Sequence, residues 1–237
     1  MKKLSDKSIR FLERLESNYK LIFTIVMSAP LILALENLTL RTNNVTGVWE
    51  FKGLSEIQPQ HIWIFFIFFM IYTRFFLGDM RYLDEKYLER QTEDAYGERY
   101  SPLSRFIDFY SLLLHAVFFF ILSSAVTNFI SFYKIDLVFL FLNSAWLLFA
   151  FFTTESHNRH RIEAKSTLRW AINNLLCSFI LFAYLFYSNN LENKGSFEVF
   201  VIVALLNAFL DYVLTWQMYF PRIQDSVENK KKKISKK

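Results

Sequence analysis

Three polar side chains recur at helical spacing in the last apolar segment of the sequence. Asn207, Asp211 and Thr215 are four residues apart, so a helix places all three on one face. Asp211 lies about nine residues from the end of that segment, too deep for its short side chain to reach the membrane surface. A carboxyl group at this depth must contact a cation or a donor, face water, or carry a proton. The stripe therefore predicts the lining of a water-filled path.

A second polar stripe lies in the third apolar segment, where Asp108, Ser111 and His115 stand at positions i, i+3 and i+7. This spacing also places its members on one helical face. His115 is near the middle of the segment, and histidine changes charge more readily near neutral pH than other side chains. We interpret the stripe as a pore-lining or proton-sensing face. The alternative is a neutral His115 that packs and forms hydrogen bonds within the bundle.

Arg74 is the one basic residue inside any predicted span. Its long side chain can extend to the cytoplasmic headgroups or pair with a carboxylate inside the membrane. Because Asp211 is the deep acidic residue that needs a partner, the sequence predicts Arg74 and Asp211 as a candidate intramembrane ion pair. This pair is the alternative to a pore-lining Asp211.

A basic cluster that contains two histidines follows the fourth apolar segment. Arginines alternate with the histidines, and their charge opposes a divalent cation but suits a phosphate or a lipid headgroup. We therefore expect no metal site and no cofactor. The residues assigned to an anionic ligand or headgroup are His157, Arg159, His160, Arg161 and Lys165.

Sequence signatures of common enzyme classes are absent. There is no GxSxG, no P-loop and no GxGxxG, and four histidines cannot supply the metal ligands of a membrane desaturase. Cys177 lies within an apolar segment with no basic partner beside it, which indicates an inert thiol. We predict no catalytic residue and a protein that is not an enzyme.

Long apolar segments must position these residues. Of the 237 residues, 53% are apolar, and they are bunched into stretches of about 16 to 22 that can cross a ~30 Å hydrocarbon layer as helices. This pattern excludes an ordinary soluble domain, and a single cysteine excludes a disulfide-stapled one. We predict an all-α integral membrane protein, a bundle of about six transmembrane helices. The spans lie near residues 21–37, 62–77, 106–130, 135–153, 170–188 and 197–220.

The positions of the glycines indicate whether the predicted helices are continuous and how they pack. All five glycines lie in connectors or at span ends, so no GxxxG packing face is present. Solute transporters often bind their substrate where glycine or proline interrupts a helix, and that signal is missing here. The spans are predicted to be continuous and packed through bulky side chains.

Lysine and arginine set the orientation. With six spans, 22 of the 27 lie on one side, which the positive-inside rule assigns to the cytoplasm. This gives a cytoplasmic N-terminal segment (1–20), a transmembrane domain (21–220) and a basic cytoplasmic tail (221–237). The basic loops suit the lipid bilayer, so no nucleic acid is expected. A short amphipathic cytoplasmic helix is predicted after the second span, and the candidate binding region for a cytosolic protein lies between Met80 and Arg105.

These features together indicate an oligomeric multi-pass membrane protein. The leading interpretation is a homo-oligomeric ion-conducting or membrane-perturbing subunit controlled from the cytoplasmic side. The composition suits an AT-rich bacterial genome, so we expect the bacterial cytoplasmic membrane and consider a membrane effector or sensor in stress or phage defence. One alternative is a small-solute or proton-coupled transporter, with Asp211 and His115 as coupling groups. The other is a non-conducting scaffold that recruits a cytosolic partner.

Overall fold

The computed structural model describes residues 6–42, 48–83, 102–153, 162–188, 191 and 194–216. Nearly all of this part of the chain is α-helical, which confirms the predicted helical class. The helices are α1 (Asp6–Thr39), α2 (Pro59–Leu83), α3 (Pro102–Ser124), α4 (Phe129–Thr153), α5 (Ile162–Ser188) and α6 (Lys194–Leu214).

Five of these helices contain stretches long and apolar enough to cross a membrane, the mark of an integral membrane protein. In the described part of α3 the apolar stretch, Phe109–Ser124, is shorter than the other five. The five long stretches are Ser17–Thr39, Pro59–Arg81, Phe129–Phe152, Lys165–Ser188 and Gly195–Leu214.

A small antiparallel sheet of β1 (Leu40–Thr42) and β2 (Trp49–Phe51) connects α1 to α2. The side chain of Asn37 donates a hydrogen bond to the carbonyl of Ser123 over 3.2 Å. The last turns of α1 and α3 therefore lie on the same side of the bundle as the sheet. We call this side the hairpin end and the other side the opposite end.

The boundary between the third and fourth predicted spans was wrong. The sequence predicts spans 106–130 and 135–153, but α3 ends at Ser124 and α4 already begins at Phe129. The side chain of Asn128 accepts a hydrogen bond from the backbone N–H of Ser131 at 3.0 Å and so caps α4. The turn is hidden in the sequence because its residues Ala125 and Val126 are apolar and buried.

Other helix ends also differ from the predicted spans. α1 begins at Asp6, well before residue 21, and α2 continues to Leu83, so the first residues of the predicted cytoplasmic helix belong to α2. The rest of that helix, in residues 84–101, lies outside the described residues. α6 ends at Leu214, and residues 217–220 of the last predicted span lie outside them together with the basic tail.

α2 occupies the middle of the bundle, where it contacts α1, α3, α4 and α6. Its interior face is apolar over most of its length; Ile64, Ile67, Phe68 and Phe75 are completely buried. α5 packs along α4 and α6, and large apolar side chains cover the outward faces of the helices, as expected of surfaces that meet lipid. A polar residue on the interior face of α2 is thus close to several other helices at once.

Gly78 of α2 lies against the indole ring of Trp170 in α5. A Cβ atom on Gly78 would stand 2.5 Å from Cη2 of Trp170, closer than any real contact allows. Trp170 is buried, and its ring also packs on Phe75 with centroids 5.3 Å apart. The missing side chain at Gly78 therefore sets the distance between α2 and α5.

Replacing Gly78 with alanine should destabilise the protein by about 1–3 kcal/mol, the usual cost of overpacking a close-packed interior. Thermal unfolding of the purified protein in detergent measures the loss. Gly53→Ala is the matched control, because a Cβ there meets only ordinary contacts at 3.7 Å or more. Adding Trp170→Phe to Gly78→Ala should recover part of the loss, since the smaller ring vacates the position of Cη2. A melting temperature unchanged by Gly78→Ala would contradict this packing.

Candidate functional site

Buried polar side chains from five helices are joined by hydrogen bonds and one ion pair inside the bundle. All of them are at most 4% exposed. Burial of so many polar groups is costly unless they contact each other, so their mutual bonds hold the helices in register. We call this set the polar centre: Arg74, Asp79, His115, Asn143, Asn173, Asn174, Asn207, Asp211 and Thr215.

Arg74 lies at the middle of the polar centre and is completely buried. Its Nη2 donates to Oδ1 of Asn174 at 2.7 Å, and its Nη1 donates to Oδ1 of Asn207. Its Nε lies 3.5 Å from Oδ2 of Asp211, so the two members of the candidate ion pair are brought together. The other possibility for Arg74, extension to the headgroups, was wrong because the side chain points into the bundle.

A chain of hydrogen bonds leads from Arg74 to a second carboxyl group. Nδ2 of Asn174 donates to Oδ1 of Asn143 at 2.8 Å, and Nδ2 of Asn143 lies 3.0 Å from Nε2 of His115. Nδ1 of His115 lies 2.8 Å from Oδ2 of Asp79. We call this path, from Arg74 through Asn174, Asn143 and His115 to Asp79, the relay. It passes through α2, α5, α4 and α3 and returns to α2.

The antiparallel arrangement of the helices explains why the asparagines meet. Asn143, Asn174 and Asn207 are 13 or 14 residues from the hairpin ends of their helices, about 20 Å at 1.5 Å per residue. The three asparagines therefore lie at one level of the bundle.

Aromatic rings surround His115. The ring centroids of Phe75 and Trp146 lie 5.7 and 5.2 Å from that of His115. The low dielectric of this apolar wall strengthens the hydrogen bonds inside it.

The first predicted stripe faces the interior of the chain. Asn207, Asp211 and Thr215 are 3%, 0% and 1% exposed, and Oγ1 of Thr215 donates to the carbonyl of Asp211 at 2.6 Å. Asn173 also supports this face by donating to the carbonyl of Asn207 at 2.8 Å. The stripe is thus part of the wall between α2, α5 and α6 and does not lie on the outward surface of α6.

Of the two members of the second stripe whose side chains the structure describes, His115 joins the polar centre and Ser111 does not. His115 is 4% exposed and bonds to Asp79 and Asn143, whereas Ser111 is partly exposed. Asp108 belongs to α3, but its side chain lies outside the described part of the structure.

The predicted anionic-ligand cluster falls mostly outside the described residues. Lys165 is exposed in the second turn of α5, at the opposite end of the bundle. His157, Arg159, His160 and Arg161 lie outside the described residues, so the assignment of this cluster stays a prediction.

Sequence reasoning missed two buried carboxyl groups. Asp79 lies beyond the predicted end of the second span at residue 77, and Asp136 lies next to the predicted start of the fourth at residue 135. Both are inside the bundle because α2 runs on to Leu83 and α4 begins at Phe129. The mainly apolar stretch of residues 129–135, which has no glycine or proline, was the available signal that α4 starts earlier.

Asp136 is 1% exposed, and its Oδ1 has no hydrogen-bond partner. It precedes Asn143 by seven residues on the same face of α4, about 10 Å nearer the hairpin end. It is close enough to Arg74 to interact with its charge. Asp136 is therefore a buried carboxyl on the hairpin side of the relay, whereas Asp79 lies on the opposite side of Arg74.

The arrangement suits the binding of charge better than the activation of a nucleophile. An aspartate that orients a histidine is common in hydrolytic sites, but there the second ring nitrogen faces the nucleophile. Here Nε2 of His115 is occupied by the amide of Asn143.

No family model matches the chain, and neither a curated protein nor a solved structure matches it.

A double-mutant cycle tests the ion pair. Asp211→Asn should destabilise the protein, because it leaves a buried cation without its counter-charge, a change that costs about 3–5 kcal/mol in soluble proteins. Arg74→Gln should cost more, since it also removes the donors to Asn174 and Asn207. The double variant should be more stable than the sum of the two losses predicts, as judged from unfolding in lipid or detergent. Arg169→Gln, at an exposed arginine of α5, is the control. Strictly additive losses would contradict the pair.

Proposed function

We propose that this multi-pass membrane protein binds and transfers protons through a centre contained within each chain. One observation carries the proposal. Among the described residues, the buried side chains include three carboxyl groups, those of Asp79, Asp136 and Asp211, but one permanent cation, Arg74, while the cation of Arg81 is only partly buried. The buried carboxyl groups outnumber the buried cation, so additional positive charge inside the bundle would stabilise them.

The cost of a buried carboxylate explains why a proton is the favoured charge. Moving an ionised carboxyl into a low-dielectric interior costs several kcal/mol unless a positive charge accompanies it. Asp211 has Arg74, but Oδ1 of Asp136 has no hydrogen-bond partner. A proton neutralises a carboxyl group without needing a cavity or a set of ligands. Carboxyl and histidine chains of this kind mark proton paths in membrane transport proteins.

The direction of the polar faces favours this function over an oligomeric pore. A pore shared between subunits requires polar residues on outward faces, whereas the outward face of α6 carries Leu206, Phe209 and Val213. The helices are also continuous through the polar centre, and a proton can pass between side chains without a broken helix. The inward direction of the polar residues therefore supports the proton-coupled alternative and does not support the oligomeric ion-conducting interpretation.

Several finer interpretations stay predictions. They are homo-oligomerisation, control from the cytoplasm, a role in stress or phage defence, the bacterial cytoplasmic membrane, a cytosolic partner between Met80 and Arg105, and an anionic ligand at the inner surface.

Proton transfer is measured in vesicles that contain the purified protein and a pH-sensitive dye. Under an imposed membrane potential the wild-type chain should acidify or alkalise the lumen faster than protein-free vesicles do. Asp136→Asn should slow this flux at least about tenfold, the effect of ~1.4 kcal/mol on a barrier, because the amide cannot take up the proton. Lys134→Gln, an exposed change two residues away in α4, should leave the flux unchanged. No flux from the wild type, or full flux from Asp136→Asn, would contradict the proposal.

We also propose that both termini lie in the cytoplasm and that the hairpin end faces outward, as the distribution of lysine and arginine indicates. After replacement of Cys177, a cysteine at Ser55 should react with an impermeant maleimide applied to intact cells, because Ser55 is exposed at the hairpin end. A cysteine at Glu98 should react only after the membrane is opened. Labelling of position 98 in intact cells would reverse the orientation.

A further inference from the structure

We infer that Asp79 takes up a proton at Oδ1 while His115 remains neutral, as a positioning residue whose tautomer is fixed by Arg74 through two asparagines. The inference rests on the proposed proton function for its physiological use, but the state of each group can be measured without transport. It reverses the usual expectation that histidine is the group that changes charge.

The orientation of the relay follows from the chemistry of arginine. A guanidinium group only donates hydrogen bonds, so both asparagines in contact with Arg74 must turn their oxygens toward it. The structure has this arrangement, with Oδ1 of Asn174 at 2.7 Å and Oδ1 of Asn207 also facing the guanidinium. The amide nitrogen of Asn174 is thereby directed away from Arg74 and toward Asn143.

Each further bond then has only one possible direction. Because Asn174 donates to Asn143 at 2.8 Å, the oxygen of Asn143 is occupied and its nitrogen faces His115. That nitrogen lies 3.0 Å from Nε2 of His115, so Nε2 must accept. The single proton of the neutral imidazole is therefore on Nδ1, which donates to Oδ2 of Asp79 at 2.8 Å.

A proton on Nε2 would conflict with the whole relay. It would place an imidazolium N–H against the amide N–H of Asn143, and relief would require that Asn143 turn over. Asn174 would then have to turn as well and would present its own N–H groups to Arg74. Arg74 therefore opposes protonation of His115 although two asparagines of the relay separate them. It acts both by its positive charge and through the direction of the hydrogen bonds.

Asp79 can accept a proton without any of these changes. The residue is completely buried, and its Oδ1 has no hydrogen-bond partner, while its Oδ2 already accepts from His115. The added proton forms one O–H bond at Oδ1, supplied by water or by another protonated carboxyl, and Oδ2 remains the acceptor. The relay has the same bonds before and after this step.

The surroundings contain few other groups that change charge. Phe75, Phe139 and Trp146 pack around the His115 ring, and α5 contributes Asn174 to the relay. The buried or partly buried charged and titratable groups on the packed elements include Arg74, Tyr72 and the partly buried Arg81 on α2, Asp136 and Tyr133 on α4, Cys177 on α5, and Asp211 and Tyr212 on α6.

Two spectroscopic measurements on the full chain in lipid test the inference. With ¹⁵N-labelled histidine, the signal lost in His115→Gln identifies His115, and on acidification it should keep the neutral, Nδ1-protonated form. Infrared difference spectra recorded over the same acidification should show a carboxylic acid band that disappears in Asp79→Asn. An imidazolium signal from His115, or no band that depends on Asp79, would overturn the inference.

A substitution in the relay provides the sharper test. In Asn143→Asp a carboxylate oxygen replaces the N–H group that faces Nε2, so His115 should become doubly protonated at neutral pH. Asn128→Asp is the matched control, because Asn128 is exposed in the turn before α4 and an aspartate retains its cap. A neutral His115 in Asn143→Asp would overturn the inference. If the spectra are as expected but the chain transfers no protons in vesicles, the proposed function is wrong and the inference about Asp79 and His115 still holds.

Discussion

A guanidinium group placed inside an apolar helix bundle determines the rest of this structure. Arg74 can only donate, cannot lose its charge and is completely buried, so every group that meets it must be an acceptor. Two asparagine oxygens and one aspartate meet that requirement, and they come from α5 and α6. The packing of α2, α5 and α6 therefore depends on the hydrogen-bond acceptors that Arg74 requires.

The amide side chains carry the influence of Arg74 over a distance without carrying its charge. An asparagine that accepts at one end donates at the other, so the direction of donation is preserved from Arg74 to His115. A carboxylate in the place of either amide would stop this transfer and add a charge to the interior. Apolar residues there would remove the acceptor that Asn174 offers to Nη2 of Arg74 and the donor that Asn143 offers to Nε2 of His115. Asn143 and Asn174 therefore perform a task that other common residues in membrane helices do not.

The sequence predicts part of this arrangement for clear physical reasons. A deep aspartate and the one basic residue inside a span need each other, so Arg74 and Asp211 could be matched without a structure. Periodicity also places Asn207, Asp211 and Thr215 on one face, but it does not say whether that face meets a pore or a neighbouring helix of the same chain. Asp79 and Asp136 were missed because their inclusion depends on helix ends, and an apolar turn leaves no mark in a hydropathy pattern.

The separation of Arg74 from its partners along the chain affects how the protein is made. Asn174 and Asn207 follow Arg74 by 100 and 133 residues, and Asp211 comes later still. At roughly 5–20 residues per second, a ribosome needs about 5 to 27 seconds to supply them. During this interval α2 is held with a charge whose acceptors have not yet been synthesised, so it must stay near the insertion machinery or its water-filled interior. A chain truncated before α6 would keep this defect, because Arg74 would lack both Asn207 and Asp211.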